Sequence, residues 1–319
     1  MRLDEIAPDA YVKEVLPQTA HLWSGRRDFD TYVLQTLEIA QGPYGRRHFR
    51  TFGLYDGHEM LATFKRYERT LQLNGNRLRA VGIGAVYTPE QHRGRGYASA
   101  MLAMLLDRSR GDGFDLAYLF SDIRPQFYTD IGFRALPSRS YSARTDRLSK
   151  VRVEVERLEE NDWTAVRRCF DLCARRRVWG FARTPLVWDW IRTRARHGSE
   201  HPAGTPTNLV VRRGRGIAAY VLGVRAPRRD AFVLDEIAYA DDDAAAFVQP
   251  LLRSAAGDLR RVTGWLPPDG ARELLPRGSV SQRKDAIFMA APLSAAGRKL
   301  VELAAKPSQA DGVWATDHI

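Results

Sequence analysis

The segment from Leu78 to Arg110 restricts the fold more than any other. A glycine-punctuated apolar run, "LRAVGIGAVYT", leads into "PEQHRGRG". That leads into "YASAMLAMLLDRSR", whose apolar residues recur at helical spacing. The first piece reads as a buried strand, the last as a helix from Gly96 to about Arg110. Glycines between a strand and a helix N-terminus leave backbone N–H groups pointing outward without partners, and the helix dipole adds partial positive charge there. Such a loop is built for phosphate.

Three phosphate-loop designs can be tested against the letters. A G-x4-G-K-[ST] loop is absent. A G-x-G-x-x-G fingerprint starting at Gly94 requires glycine at 99, where Ser99 stands. The pattern [QR]-x-x-G-x-[GA] fits Arg93-Gly94-Arg95-Gly96-Tyr97-Ala98, and also Gln91 to Gly96. The Arg93 register leaves Ala98, Met101, Leu102 and Leu105 on one inward helix face. Arg213-Gly214-Arg215-Gly216 repeats the letters R-G-R-G between two strand-like runs, with no helix behind it. Without helix N–H groups that copy is not expected to bind pyrophosphate.

Around this segment the chain alternates helices and strands. Asp9 to Trp23 and Asp28 to Gln41 read as helices, the second with Phe29, Val33 and Leu37 at a spacing of four and Asp28 as cap. "RTFGLY", Asp56-Gly57 and "HEMLATFKRY" read as a hairpin, and "LAYLFS" (116 to 121) as a strand. "RPQFYTDIGF" reads as a short helix ending at Gly132. The polar strip Leu136 to Lys150 marks a domain boundary. After it come two helices, a hairpin, the strand "FVLDEIAYA", a helix, "VTGWLP" and a last strand, "DAIFMAAPL". The order roughly repeats that of the first half. We therefore expect an α+β protein with domains at 1–143 and 144–293, and a tail at 294–319.

In their context, the Arg93 loop, the preceding "GIGAVYTP" and the following "LAYLFSDIRPQFYTDIGF" resemble the GNAT acetyltransferase superfamily over residues ~30 to 135. The two-copy order and "FYTDIGF" resemble its enhanced-intracellular-survival (Eis) type. The resemblance implies tandem GNAT-like domains, each a mixed central sheet flanked by helices, the second degenerate and without a cofactor loop. It implies acetyl-CoA as cosubstrate and N-acetyl transfer to an amine. Ala85, Val86 and Tyr87 would pair with the pantetheine arm. Arg93, Gly94, Arg95, Gly96, Tyr97, Ala98 and Ser99 would take the pyrophosphate, and Ser121 and Asp122 would line the site. Tyr128 would be the general acid, and Ile319, through the carboxylate at the end of the chain, the general base.

The net charge is +11, from 43 arginines and six lysines against 38 acids. A basic chain attracts anions. No block of five like charges and no aromatic-interleaved basic stripe occurs, so nucleic acid is not the expected partner. The alternative function is a non-catalytic acyl-CoA- or nucleic-acid-binding regulator. The expected acceptor is a small-molecule or peptidyl amine, and a homo-oligomer is left open. Asp235 and Glu236 are candidates for attracting a cationic amine. Cys169-x3-Cys173 and His197-x3-His201 have zinc-ligand chemistry, but the gap between the pairs exceeds that of compact zinc fingers, and no metal is expected. No run approaches the ~18 apolar residues of a membrane span. With no signal peptide legible, a cytoplasmic location is expected.

Overall fold

The computed structural model describes residues 1–25, 27–123, 125–197, 204–268, 270–309 and 311–319. In the first half the strands are β1 (Arg2–Ile6), β2 (Phe49–Asp56), β3 (Glu59–Leu73), β4 (Asn76–Tyr87), β5 (Leu116–Ser121), β6 (Arg134–Ala135) and β7 (Arg139–Arg144). In the second they are β8 (Glu156–Arg157), β9 (Trp179–Ala182), β10 (Thr205–Pro206), β11 (Leu209–Arg213), β12 (Gly216–Ala226), β13 (Ala231–Tyr239), β14 (Arg261–Trp265), β15 (Ser279–Gln282) and β16 (Ile287–Pro292). They form two mixed sheets. The first runs β1-β2-β3-β4-β5-β16-β6, with β9 on the far half of β3. The second runs β15-β7-β14-β13-β12-β11-β8, with β10 on β12. The protein is α+β, each sheet the centre of a GNAT-like unit.

The hairpin through Asp56-Gly57 forms as expected, Gly57 supplying the left-handed turn (φ 58°). Asp28 caps the helix Phe29–Gln41, its carboxylate accepting from the Thr31 amide at 2.8 Å. Of the spaced residues Phe29, Val33 and Leu37, Val33 packs against a core cluster, but none is among the helix's buried positions. Phe29 is exposed, and the helix buries Tyr32, Gln35, Thr36 and Ala40 instead.

Three segments cross between the sheets, β7, β9 and β16, so a boundary at 143/144 does not separate them. The polar strip 136–150 contains β7, which pairs with β14 and β15 in the second sheet. "DAIFMAAPL", assigned to the second unit, supplies β16, which lies antiparallel between β5 and β6 in the first. The strand type was legible; the partner was not, because an apolar run pairs equally well with either sheet. Residues 294–319 are more than a tail: they contain the helix Ala295–Ala304, and Val313 and Trp314 are buried. The units also share one core. Tyr44 and Tyr67 of the first contact Trp190 of the second at ring separations of 5.5 and 6.0 Å.

Residues 1–143 alone would leave β5 and β6 without the strand between them. That fragment is expected to show no cooperative denaturant transition by circular dichroism. A sharp transition with native-like signal would show that the first sheet does not need β16.

Candidate functional site

β4 and β5 are parallel neighbours for four residue pairs, Ala80 with Leu116 to Ile83 with Leu119, and then part. The cause lies on the other edge of β4. Thr63 of β3 faces Tyr87 while Lys65 faces Gly84, so Phe64 opposes two residues, Ala85 and Val86. Ala85 takes the left-handed backbone conformation (φ 49°) that this bulge demands. The bulge bends the end of β4 and opens a wedge between it and β5.

The loop stands at the mouth of this wedge. Gly94 (φ 76°) and Gly96 (φ 79°) use backbone space closed to most residues, and Gly96 caps the helix Tyr97–Gly111. That helix anchors through buried Met101, Leu102, Leu105 and Leu106. Its first amide to bond backward is that of Ala100, to the Gly96 carbonyl at 3.0 Å. Among the described residues, the amides of Gly94 to Ser99 find no acceptor in the protein. No atom stands within 4 Å of where a Cβ would sit on Gly94 or Gly96. Arg93 and Arg95 are exposed, Arg93 Nε donating to the Thr88 carbonyl at 3.3 Å. Tyr97 is half-buried and edge-on to His92. A row of open amides on a helix end fits a pyrophosphate.

Along β4 and β5 successive side chains alternate between faces, and the two faces differ. Val81, Ile83, Ala117 and Leu119 join the cluster that holds Tyr128, with Val86 and Tyr97 against it. Tyr128 sits in the helix Gln126–Thr129, nearly buried between Phe127 and Phe133. Burial, with the Asp122 charge adding to it, pushes its hydroxyl up to about 12. Ser121 is buried and donates to the Ile123 carbonyl at 2.9 Å. Asp122 accepts from the Ala286 amide at 2.8 Å, tying the end of β5 to the lead-in of β16.

The opposite face carries Gly82, Gly84, Tyr118 and Phe120. A Cβ on Gly82 would lie 2.6 Å from the Tyr118 hydroxyl and 2.7 Å from Ile319 Cδ1. One on Gly84 would lie 3.8 Å from the Ile319 carbonyl carbon. These glycines therefore admit the protein's own residue 319. The His318 ring stands 5.0 Å from Phe120 and 5.9 Å from Trp265. Ile319 thus covers the β4 side of the wedge and His318 the β5 side.

The segment is held from below. Asp317 is buried between Arg69 on β3 and Arg183 beyond β9, each nitrogen 3.0 Å from the same carboxylate oxygen. Arg183 also reaches Glu236 and the Thr316 hydroxyl, both at 2.7 Å. Glu236 accepts from Thr316 and Tyr220, and the His318 carbonyl accepts from Arg194. Burial alone would raise the Asp317 carboxyl; the charges of Arg183 and Arg69 outweigh it and hold it below the usual range. Glu236 is fully buried in this network, which corrects its reading as an amine-attracting group. Asp317, Arg183 and Arg69 were not found from the sequence. Their partners lie 134 and 248 residues away, and no local pattern marks such a pair.

The second unit repeats the geometry without the chemistry. β13 and β14 are parallel for four pairs, Ala231 with Arg261 to Leu234 with Gly264. The loop after β13 carries Asp241, Asp242 and Asp243, and Asp241 accepts from the Ala244 amide at 2.9 Å. Acids at that helix start repel phosphate. Arg213 to Gly216 lies where β11 turns into β12, and Arg213 binds Asp241. Cys169 and Cys173 are buried on the helix Trp163–Ala174, and His197 pairs with Glu38. His201 lies outside the described residues. No described helix is long and apolar enough to cross a membrane.

Residues 26–136 match the acetyltransferase (GNAT) domain family. No curated protein sequence matches the chain significantly. Solved structures share the fold over nearly its whole length. A GCN5-related N-acetyltransferase from Anabaena variabilis matches with TM-score 0.72 and 16% identity, covering 96% of this chain and 75% of that one. Eis1 from Mycobacterium abscessus matches with TM-score 0.65 and 13% identity, covering 96% and 75%. A tandem GNAT protein of clavulanic acid biosynthesis matches with TM-score 0.50 and 11% identity, covering 92% and 98%.

Gly94→Asp, which puts a carboxylate among the open amides, is expected to weaken coenzyme A binding about tenfold or more by calorimetry. Unchanged affinity would take the loop out of ligand binding. Asp317 adds an acid dependence of known sign. Its folded pKa lies below the unfolded value of about 3.9, so its stabilisation is full above that pH and lost as pH falls through the folded value. The denaturation midpoint of Asp317→Asn is expected to fall less steeply below about pH 4 than that of the unaltered protein. Parallel curves would mean the pair contributes nothing.

Proposed function

We propose that this protein, whose residues 26–136 form a GNAT acetyltransferase domain, transfers an acetyl group from acetyl-CoA to an amine. The observation that carries the reading is the wedge between β4 and β5, open onto unbonded amides at one end and flanked by Tyr128 and Ile319 on opposite faces. Acetyl-CoA supplies an activated thioester and a thiol leaving group. The amides of Gly94 to Ser99 would hold its pyrophosphate, and the bulged end of β4, Ala85 to Tyr87, would pair with its pantetheine arm. An amide at the bulge, near Val86, would stabilise the charge that develops on the thioester oxygen.

The proton traffic separates by face. An alkyl ammonium near pKa 10 cannot hand its proton directly to a chain-end carboxyl of about 3.5; the gap costs roughly 9 kcal/mol. The neutral amine, a minor fraction in equilibrium with the ammonium through solvent, makes the attack. Once its nitrogen has bonded to the carbonyl carbon it is far more acidic, and the Ile319 carboxylate then takes that proton as the thiolate leaves. Tyr128, on the other face of the sheet, would donate to the leaving sulfur. With its hydroxyl near 12, it stays protonated at every working pH. Full transfer to a thiolate of about 8.5 is uphill by roughly 5 kcal/mol, so Tyr128 acts first as a hydrogen-bond donor.

Tyr128→Phe is expected to lower kcat about tenfold or more while calorimetric affinity for acetyl-CoA is unchanged. Wild-type turnover in that variant would remove Tyr128 from the reaction. Acetyl-CoA binding with no thiol release across an amine panel would favour the regulatory reading instead.

A further inference from the structure

We propose that Asp317 is a positioning residue for acyl transfer: gripped by two buried arginines, it sets His318 and Ile319 astride the wedge between β4 and β5. This rests on the reading that the Ile319 face receives the amine.

The grip is assembled from distant parts. Arg69 belongs to the first sheet, Glu236 to the second, and Arg183 follows the strand that joins the edge of β3. The side chains of Arg69, Arg183, Asp317 and Glu236 are all almost wholly buried. Taking an ion out of water costs several kcal/mol, and apolar side chains of equal volume often hold two layers together as well or better. Cohesion alone is therefore a weak reason for this network. Ion pairs add direction, which apolar contacts lack.

The arginines are themselves fixed. Arg69 lies over Phe181 at 4.7 Å and Trp190 at 5.2 Å. Arg183 lies over Phe170 at 4.1 Å and Trp188 at 4.6 Å. Stacked this way, neither guanidinium can follow a displaced carboxylate. Arg69 Nε and Nη1, Arg183 Nη1 and all three nitrogens of nearby Arg177 lack acceptors among the described residues. Donors are in excess, and the two that are satisfied at Asp317, Arg69 Nη2 and Arg183 Nε, share one of its oxygens. The last two residues span at most about 7 Å of chain. An error at Asp317 is therefore passed on to His318 and Ile319, and a shift of about 1 Å at reacting groups can cost about a hundredfold in rate.

The test is a double-mutant cycle between Asp317→Asn and a Gly-Ser extension after Ile319, read as kcat together with calorimetric affinity for acetyl-CoA. Each change alone is expected to lower kcat about tenfold or more with affinity intact, and the two together little further, because both act through the same terminal residues. Losses that multiply, or normal turnover in Asp317→Asn beside an impaired extension, overturn the positioning role alone. Normal turnover in the extended protein overturns the base reading, and this proposal with it. If Asp317→Asn does not fold, Thr316→Val deletes one hydroxyl and keeps every charge. A severalfold lower kcat at unchanged affinity then supports the proposal, and normal turnover overturns it.

Discussion

One extra residue in β4 governs most of what this protein can do. Because Phe64 opposes both Ala85 and Val86, the end of β4 bends away and its pairing with β5 stops after four residues. Parallel strands that stay paired leave no room for a ligand. Strands that part offer unpaired backbone on both inner edges, an opening through the sheet, and two chemically distinct faces. The Gly94–Gly96 loop, Tyr128 and the chain's last residues are all arranged around that opening.

The second sheet has the same opening with a different loop behind it. β13 and β14 also part after four pairs. There the helix start carries three aspartates where the first unit has glycine and arginine. A buried glutamate and the returning chain occupy the neighbourhood, and Thr316 and Asp317 are tied into it. The duplicated geometry is used to hold a segment of the protein, and that segment completes the first wedge. Neither unit is self-sufficient: β7 and β16 change sheets, and Tyr44 and Tyr67 share a core with Trp190.

The loop, its helix and β5 were readable because each is local. Glycine at a left-handed position, apolar residues at helical spacing and a run of six apolar-rich strand residues are written in consecutive letters. Helical spacing located the helix 29–41 but not which of its positions are most buried. Two of its buried residues, Gln35 and Thr36, are polar, which an apolar stripe does not reveal. Gly82 and Gly84 punctuate a strand in the sequence; that they make room for Ile319 could not be read there.

By itself the sequence determined the chemistry on offer: open amides at a helix start, a tyrosine after β5, and two runs of alternating helices and strands. The tertiary structure decided which side of the sheet each group occupies, which sheet β7 and β16 join, and where the chain comes to rest. Hydrogen-bonded strands and buried ion pairs are formed by residues up to 248 positions apart. Their energies depend on three-dimensional approach and the exclusion of water, and no window of the sequence holds both partners.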